Sequence, residues 1–284
     1  MVLTRIITGA VGIVLFAIII LCAKIPFVVE TAVALLAVLA VWELFQAAGL
    51  HKDKALCLMS IGFVALIPFL GTQPLWMSAL CFLYTVALFL RLIRHETLRG
   101  GIDAVGLPFF FSITISFSFS SLVFLRDSYR AGIGLTQDDS VFFIVLAAAG
   151  AWLADAGAYF VGRFLGRHKL APIISPNKTV EGFIGGIATN IIGFWVAGWI
   201  YSVCFAAAVN YPLLIIMGLV SALLGTLGDL SASYIKRSFH IKDFGNIMPG
   251  HGGILDRFDS LLLVSPFLYI IIRLVHPIWP IIIH

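Results

Sequence analysis

Long apolar runs separated by short polar connections recur from one end of the chain to the other. Nine of them read as membrane-spanning segments: Ile6 to Cys22, Phe27 to Gln46, Ala55 to Leu70, Leu75 to Leu90, Ala104 to Leu125, Val141 to Val161, Val180 to Phe205, Tyr211 to Leu230 and Phe258 to Val275. A span needs about 20 mostly apolar residues, and the third and the last are short for that. Backbone in lipid has to satisfy its own hydrogen bonds, so all nine are read as helices rather than strands. The pattern predicts an all-α, polytopic integral membrane protein.

Composition agrees: 61% of residues are hydrophobic and 11% charged, and the mean hydropathy of +1.08 excludes a soluble domain of this length. The net charge is +4, and the basic residues are scattered over short loops, so no nucleic-acid partner is expected. Their sidedness is more informative. The N-terminus and the even-numbered loops carry fourteen of the 18 Lys and Arg; Lys24, Arg126, Arg130 and Arg273 fall on the other side. The positive-inside rule therefore puts the N-terminus and the two richest loops in the cytoplasm and His284 across the membrane. Arg5 and the first run read as a retained signal anchor, because no small-residue cleavage site follows. Cys22, Cys57, Cys81 and Cys204 lie singly in apolar segments without the spacing of a metal or redox motif.

Polar residues inside the runs are unevenly distributed. Residues 1–125 carry few and are read as a scaffold with possible dimer contacts. Residues 126–284 carry Asp155, Glu181, Asp229, Asp256 and Asp259 and are read as the catalytic region, with loops 162–179 and 231–257. An acid in or at the edge of a bilayer helix is a functional candidate by default, although charges also snorkel to helix ends. Alternation of the spans brings all five acids to the cytoplasmic boundary.

Two loops add cations. Gly162 to Thr179 leads through Arg163, Arg167, His168 and Lys169 into Ser175-Pro176-Asn177-Lys178-Thr179, then Glu181-Gly182. Thr179 is placed to cap the next helix, where Lys178 would hold an anion; equally, the loop simply starts a helix and obeys the positive-inside rule. The stretch Ser233 to Asp259 packs Lys236, Arg237, Lys242, Asp243, His251, Asp256, Arg257 and Asp259 around Gly250, Gly252 and Gly253. Cations for phosphate, carboxylates for a divalent metal and glycine backbone for close approach point to phosphate chemistry at a membrane surface. Ser231 to Asp243 is amphipathic, with Tyr234, Ile235, Phe239 and Ile241 expected against lipid and Lys236, Arg237 and Lys242 toward headgroups.

The run Ser233-x-x-Lys236-Arg237, Lys242-Asp243-x-Gly245 and Pro249-Gly250-His251-Gly252-Gly253-x-x-Asp256-Arg257-x-Asp259 resembles the signature of phosphatidate cytidylyltransferases, the CDP-diacylglycerol synthases. Trp152-x-x-Asp155-x-x-Ala158-Tyr159-x-x-Gly162-Arg163 and Ser175-Pro176-x-Lys178-Thr179-x-Glu181-Gly182 are similar to that family as well; Asn177 stands where relatives often have a second Lys. The resemblance implies a reaction of CTP with phosphatidate to CDP-diacylglycerol and pyrophosphate, dependent on Mg²⁺ with a paired metal centre, by a homodimer, in the bacterial inner membrane.

On that reading Asp229, Asp256 and Asp259 are assigned to metal, since hard oxygen ligands suit Mg²⁺. Lys236, Arg237, Lys242 and Arg257 join Asp229 and Asp256 in the catalytic set, and Ser175, Lys178, Thr179, Glu181, His251, Gly252, Gly253 and Asp155 are assigned to substrate binding. His251 either donates to a phosphate or shapes the turn, and Asp155 either joins the metal site or orients a cation. Asp243 is a partner for nearby cations. A CDP-alcohol phosphotransferase would require an Asp-Gly pair and a wider second acidic spacing, both missing. A secondary transporter would hold its coupling residues near mid-bilayer in broken helices, and a purely structural subunit leaves the charged loop unexplained.

Overall fold

The computed structural model of the chain describes residues 2–71, 73–94, 103–250 and 252–280. Every apolar run falls on a helix, with ends that agree to within a few residues except at the end of α8: α1 (Val2–Leu21), α2 (Val28–Ala47), α3 (Lys54–Leu70), α4 (Pro74–Arg94), α5 (Asp103–Arg126), α6 (Gln137–Leu165), α7 (Val180–Phe205), α8 (Tyr211–Ser238) and α10 (Leu261–Leu274), with a single turn, α9 (Leu255–Phe258), before the last. The fold is all-α. Among the described residues, six helices are long and apolar enough to cross a membrane, namely α2, α4, α5, α6, α7 and α8, while the apolar helices over Ile7–Leu21, Lys54–Leu70 and Leu261–Leu274 are shorter. Two antiparallel ladders interrupt the helices: β1 (Lys169–Ala171) with β2 (Ser175–Thr179), and β3 (Ala207–Val209) with β4 (Ile278–Pro280).

Local chemistry fixes where helices begin. Thr136 and Asp139 form a reciprocal capping box that starts α6 at Gln137, before the apolar run itself. Tyr201 of α7 adds a bond from its hydroxyl to Asp139 Oδ1 at 2.6 Å. Asp53 caps α3 through Leu56 N–H and also pairs with Arg91 of α4. Thr179 caps α7 through Gly182 N–H at 3.1 Å, as its position implied.

The described chain forms two compact units, one of Met1–Val123 with Ser238–Arg257 and one of Phe124–Arg237 with Phe258–His284. In the first, Tyr84 of α4 lies between Ser60 of α3 and Ser112 of α5 at 2.9 and 3.0 Å, a buried polar knot among apolar helices. In the second, α6 and α7 approach closely because Gly182, Gly185 and Gly186 present no side chain to Ala154, Ala158 and Val161. Asn190 of α7 donates to Gly150 O of α6 and Gly218 O of α8, at 3.2 and 2.9 Å, tying three helices together.

A Cβ at Gly186 would stand 2.6 Å from the Ala154 carbonyl, a backbone atom with little room to yield. Gly186→Val is therefore expected to destabilise the protein by about 1–3 kcal/mol. Gly193→Val, whose Cβ would meet chiefly the end of the flexible Leu153 side chain, should cost less. Thermal unfolding of both variants in detergent checks the ranking.

α8 does not end with its apolar run at Leu230. It continues as one helix to Ser238, so Ser231–Ser238 is its last two turns rather than a separate segment along the interface. Tyr234 is 61% exposed, in keeping with a lipid contact, but Lys236 is only 9% exposed and does not face outward with Arg237. The helical period is the reason: Asp229, Ser233 and Lys236 fall at i, i+4 and i+7 on one face.

Candidate active site

In the second unit the elements converge on three carboxylates and two lysines. Thr179, by capping α7, fixes Lys178 at the end of β2, and its Nζ reaches Asp229 Oδ2 of α8 at 2.5 Å. Ser233, one turn on from Asp229, lies 3.3 Å from Oδ1 of that carboxylate. Asp155 of α6 accepts from the Ser260 hydroxyl at 3.0 Å, and Ser260 N–H donates to Asp259 Oδ1 at 2.8 Å. Asp259 is 6% exposed, and the charges acting on it are Asp229, Lys236 and Asp155. Gly228 lets α8 come this close, since a Cβ there would lie 2.6 Å from Asp259 O.

Other residues assigned to this region do local work. Glu181 accepts from the backbone N–H groups of Arg167 and His168, at 3.0 and 3.2 Å, and from His168 Nδ1 at 2.6 Å. Its carboxylate thereby folds loop 162–179 back onto the start of α7. Ser175 opens β2 opposite Ala171, and Arg237 is exposed near the end of α8.

In the first unit the glycine-rich loop is held by two carboxylates. Asp256 Oδ2 accepts from Phe244 N–H at 2.8 Å and Gly253 N–H at 3.0 Å. Glu43 of α2 accepts from Ile254 N–H and Leu255 N–H at 2.9 and 3.0 Å. Gly250 and Gly252 take φ of 79° and 90°, a region where other residues are strained, and Met248 N–H bonds Gly252 O at 3.0 Å to close the turn. Lys242, Asp243, Asn246, Gly250, Gly252 and Arg257 are among the lining of a cavity of about 650 Å³. The two cations over exposed glycine backbone suit a polyphosphate. His251 lies outside the described residues.

Of the residues expected in the site, Asp155, Lys178, Asp229, Lys236 and Asp259 come together in the second unit, and Lys242, Gly252, Gly253, Asp256 and Arg257 share one loop in the first. Sequence reasoning missed Ser233 and Ser260 as hydrogen-bonding members of the acidic cluster, and it missed Glu43. A carboxylate well inside an apolar run, away from the first turn where Glu30 sits, was the available signal.

Among the described residues no group of three or more His, Cys, Asp or Glu side chains is arranged to hold a metal ion. Mg²⁺ does not require one, since it is commonly held by one or two carboxylates together with water and substrate phosphate. Asp229, next to the glycine that packs on the Asp259 carbonyl, and Asp259 itself supply two carboxylates of that kind.

The model of the Cytidylyltransferase family matches residues 3–275. The chain is 36% identical over 288 residues to the phosphatidate cytidylyltransferase of Bacillus subtilis (strain 168), covering 95% of this chain and 97% of that protein. It is 45% identical over 162 residues to the enzyme of the same name from Staphylococcus haemolyticus and 42% over 171 residues to that from Staphylococcus saprophyticus, in each case across 55% of this chain and 61% of the relative.

Proposed function

The chain belongs to the phosphatidate cytidylyltransferase family, and from that premise we propose that it transfers the cytidylyl group of CTP to phosphatidate, giving CDP-diacylglycerol and pyrophosphate, by metal-assisted in-line attack. The observation that carries this reading is the cavity of the glycine-rich loop, where Lys242 and Arg257 flank backbone that a triphosphate can approach.

The chemistry asks for charge management more than for a base. Phosphatidate brings its own nucleophile, a phosphate monoester whose second pKa is about 6 and which is mostly dianionic at neutral pH. The barrier lies in bringing that anion against the α-phosphate of CTP and letting pyrophosphate depart. Lys242 and Arg257 neutralise triphosphate oxygens, the Arg in bidentate fashion. Lys178, oriented by Asp229, and Lys236, buried on the face of α8 that carries Asp229, offset negative charge in the second unit. Asp229 and Asp259 would hold Mg²⁺, which when bound screens phosphoryl charge; Asp256 and a second cation of a paired centre belong to the same proposal.

We place the N-terminus and loops 162–179 and 231–257 on the cytoplasmic side of a bacterial plasma membrane, on the distribution of Lys and Arg, with α1, α3 and α10 completing nine spans and the protein acting as a homodimer. The test is purified protein in detergent with phosphatidate, labelled CTP and Mg²⁺. CDP-lipid and pyrophosphate are expected in equal amounts, and chelation of the metal should stop both. A well-lipidated enzyme that forms neither overturns the reading.

A further inference from the structure

We infer that Glu43 is a positioning residue for the reaction, holding the glycine-rich loop in its working shape from about one turn before the end of α2; the inference rests on the cytidylyltransferase reading for its kinetic part only. Glu43 is separated from the loop by some two hundred residues of chain, and the residue is 1% exposed. Oε1 receives Ile254 N–H at 2.9 Å and Oε2 receives Leu255 N–H at 3.0 Å. The loop is glycine at the two places where it passes this carboxylate. A Cβ at Gly253 would lie 2.5 Å from Oε2, and one at Gly245 would overlap the same group.

Glu43 and Asp256 together take up the backbone donors of Phe244, Gly253, Ile254 and Leu255. The loop has little regular structure of its own beyond the Met248–Gly252 bridge and the turn of α9. Buried backbone donors have to be paired, so these two side chains stand in for the ladder that a strand would provide. They do so directly beside the residues of the phosphate cavity: Gly252 precedes one donor of the set, and Arg257 follows Asp256.

The chemistry requires a carboxylate at position 43. Both of its oxygens face donors, and an ionised carboxylate is acceptor-only at both. Glutamine would keep the size and one acceptor but turn an amide NH₂ toward a backbone N–H. Neither oxygen contacts the loop's cations in the bonds described, so the effect on catalysis runs through loop geometry, where a displacement of about 1 Å costs about 100-fold in rate.

The experiment compares wild-type protein with Glu43→Gln and Glu43→Ala in detergent, by hydrogen exchange followed by mass spectrometry and by steady-state assay with CTP and phosphatidate. Expected for Glu43→Gln is faster exchange confined to the peptide spanning 244–257, with α2 and α3 protected as in the wild type, and a fall of about 100-fold in kcat per folded molecule, while the KM for phosphatidate is unchanged. Glu43→Ala should exchange faster still. Wild-type exchange in 244–257 for Glu43→Gln, or loosening spread evenly over α2 and α3 with wild-type kcat per folded molecule, overturns the inference. Should the wild type itself form no CDP-lipid, the proposed function fails, and the exchange data alone decide whether Glu43 holds the loop. If Glu43→Ala does not fold, Glu43→Gln carries the test.

Discussion

Asp256→Ala is expected to reduce CDP-lipid formation by about 10²- to 10³-fold, the range seen when preorganised groups around a reacting phosphoryl or acyl centre are lost. Its carboxylate accepts from Phe244 N–H and Gly253 N–H, at 2.8 and 3.0 Å, and the residue is buried. Alanine leaves both donors unpaired, at about 1–3 kcal/mol each, and releases the turn that presents Lys242 and Arg257. Asp256→Asn separates two roles. The amide oxygen still accepts a hydrogen bond, so the loop should hold its shape while the charge is lost. Activity near wild type in Asp256→Asn would show that Asp256 acts through the loop; activity as low as in alanine would assign it to metal or substrate charge. Initial rates with labelled CTP, beside thermal unfolding of each variant, distinguish these results.

Lys178→Ala is expected to lower kcat/KM for CTP by about 10²-fold. The structural ground is the balance of charge in the second unit, where Asp155, Asp229 and Asp259 face Lys178 and Lys236. Removing Lys178 takes from Asp229 the cation that it pairs with. The Lys178–Asp229 pair is about a quarter exposed on each side, so its loss should cost less stability than the about 3–5 kcal/mol of a fully buried pair. Asp229→Asn made on the Lys178→Ala background should therefore destabilise less than Asp229→Asn alone, and a double-mutant cycle on unfolding measures that coupling. Additive effects would mean that the pair does not act as a unit. Lys178→Arg keeps the charge and should recover part of the activity.

What could be read from residues alone follows from how far each interaction reaches along the chain. The start of α7 was legible because Thr179 and Gly182 are three residues apart and the cap is local. The end of α8 was not, because hydropathy falls at Leu230 while the helix goes on, and the face carrying Asp229, Ser233 and Lys236 is polar. The same lapse misplaced Lys236 toward the headgroups. Glu181 looked like a substrate ligand because its partners, the N–H groups of Arg167 and His168, leave no mark on the sequence. Glu43 was passed over because two acids, Glu30 and Glu43, hardly move the average of a run as apolar as Val28–Ala47. Its partners lie more than two hundred positions away, beyond any periodicity.

The length of α8 has a consequence for where substrate is met. Twenty-eight residues make a rod of about 42 Å, against about 30 Å of hydrocarbon; a typical tilt of about 20° takes back only some 3 Å. With Tyr211 at one edge of the oily slab, roughly the last two turns of this rod would overshoot the other edge into the layer where glycerol and phosphate groups of lipids reside, Arg237 exposed there and Lys236 turned inward. A phosphatidate molecule diffusing sideways in its own leaflet would carry its phosphate to that depth with both acyl tails still solvated by neighbouring lipid. Capture of so insoluble a substrate would then need no extraction step.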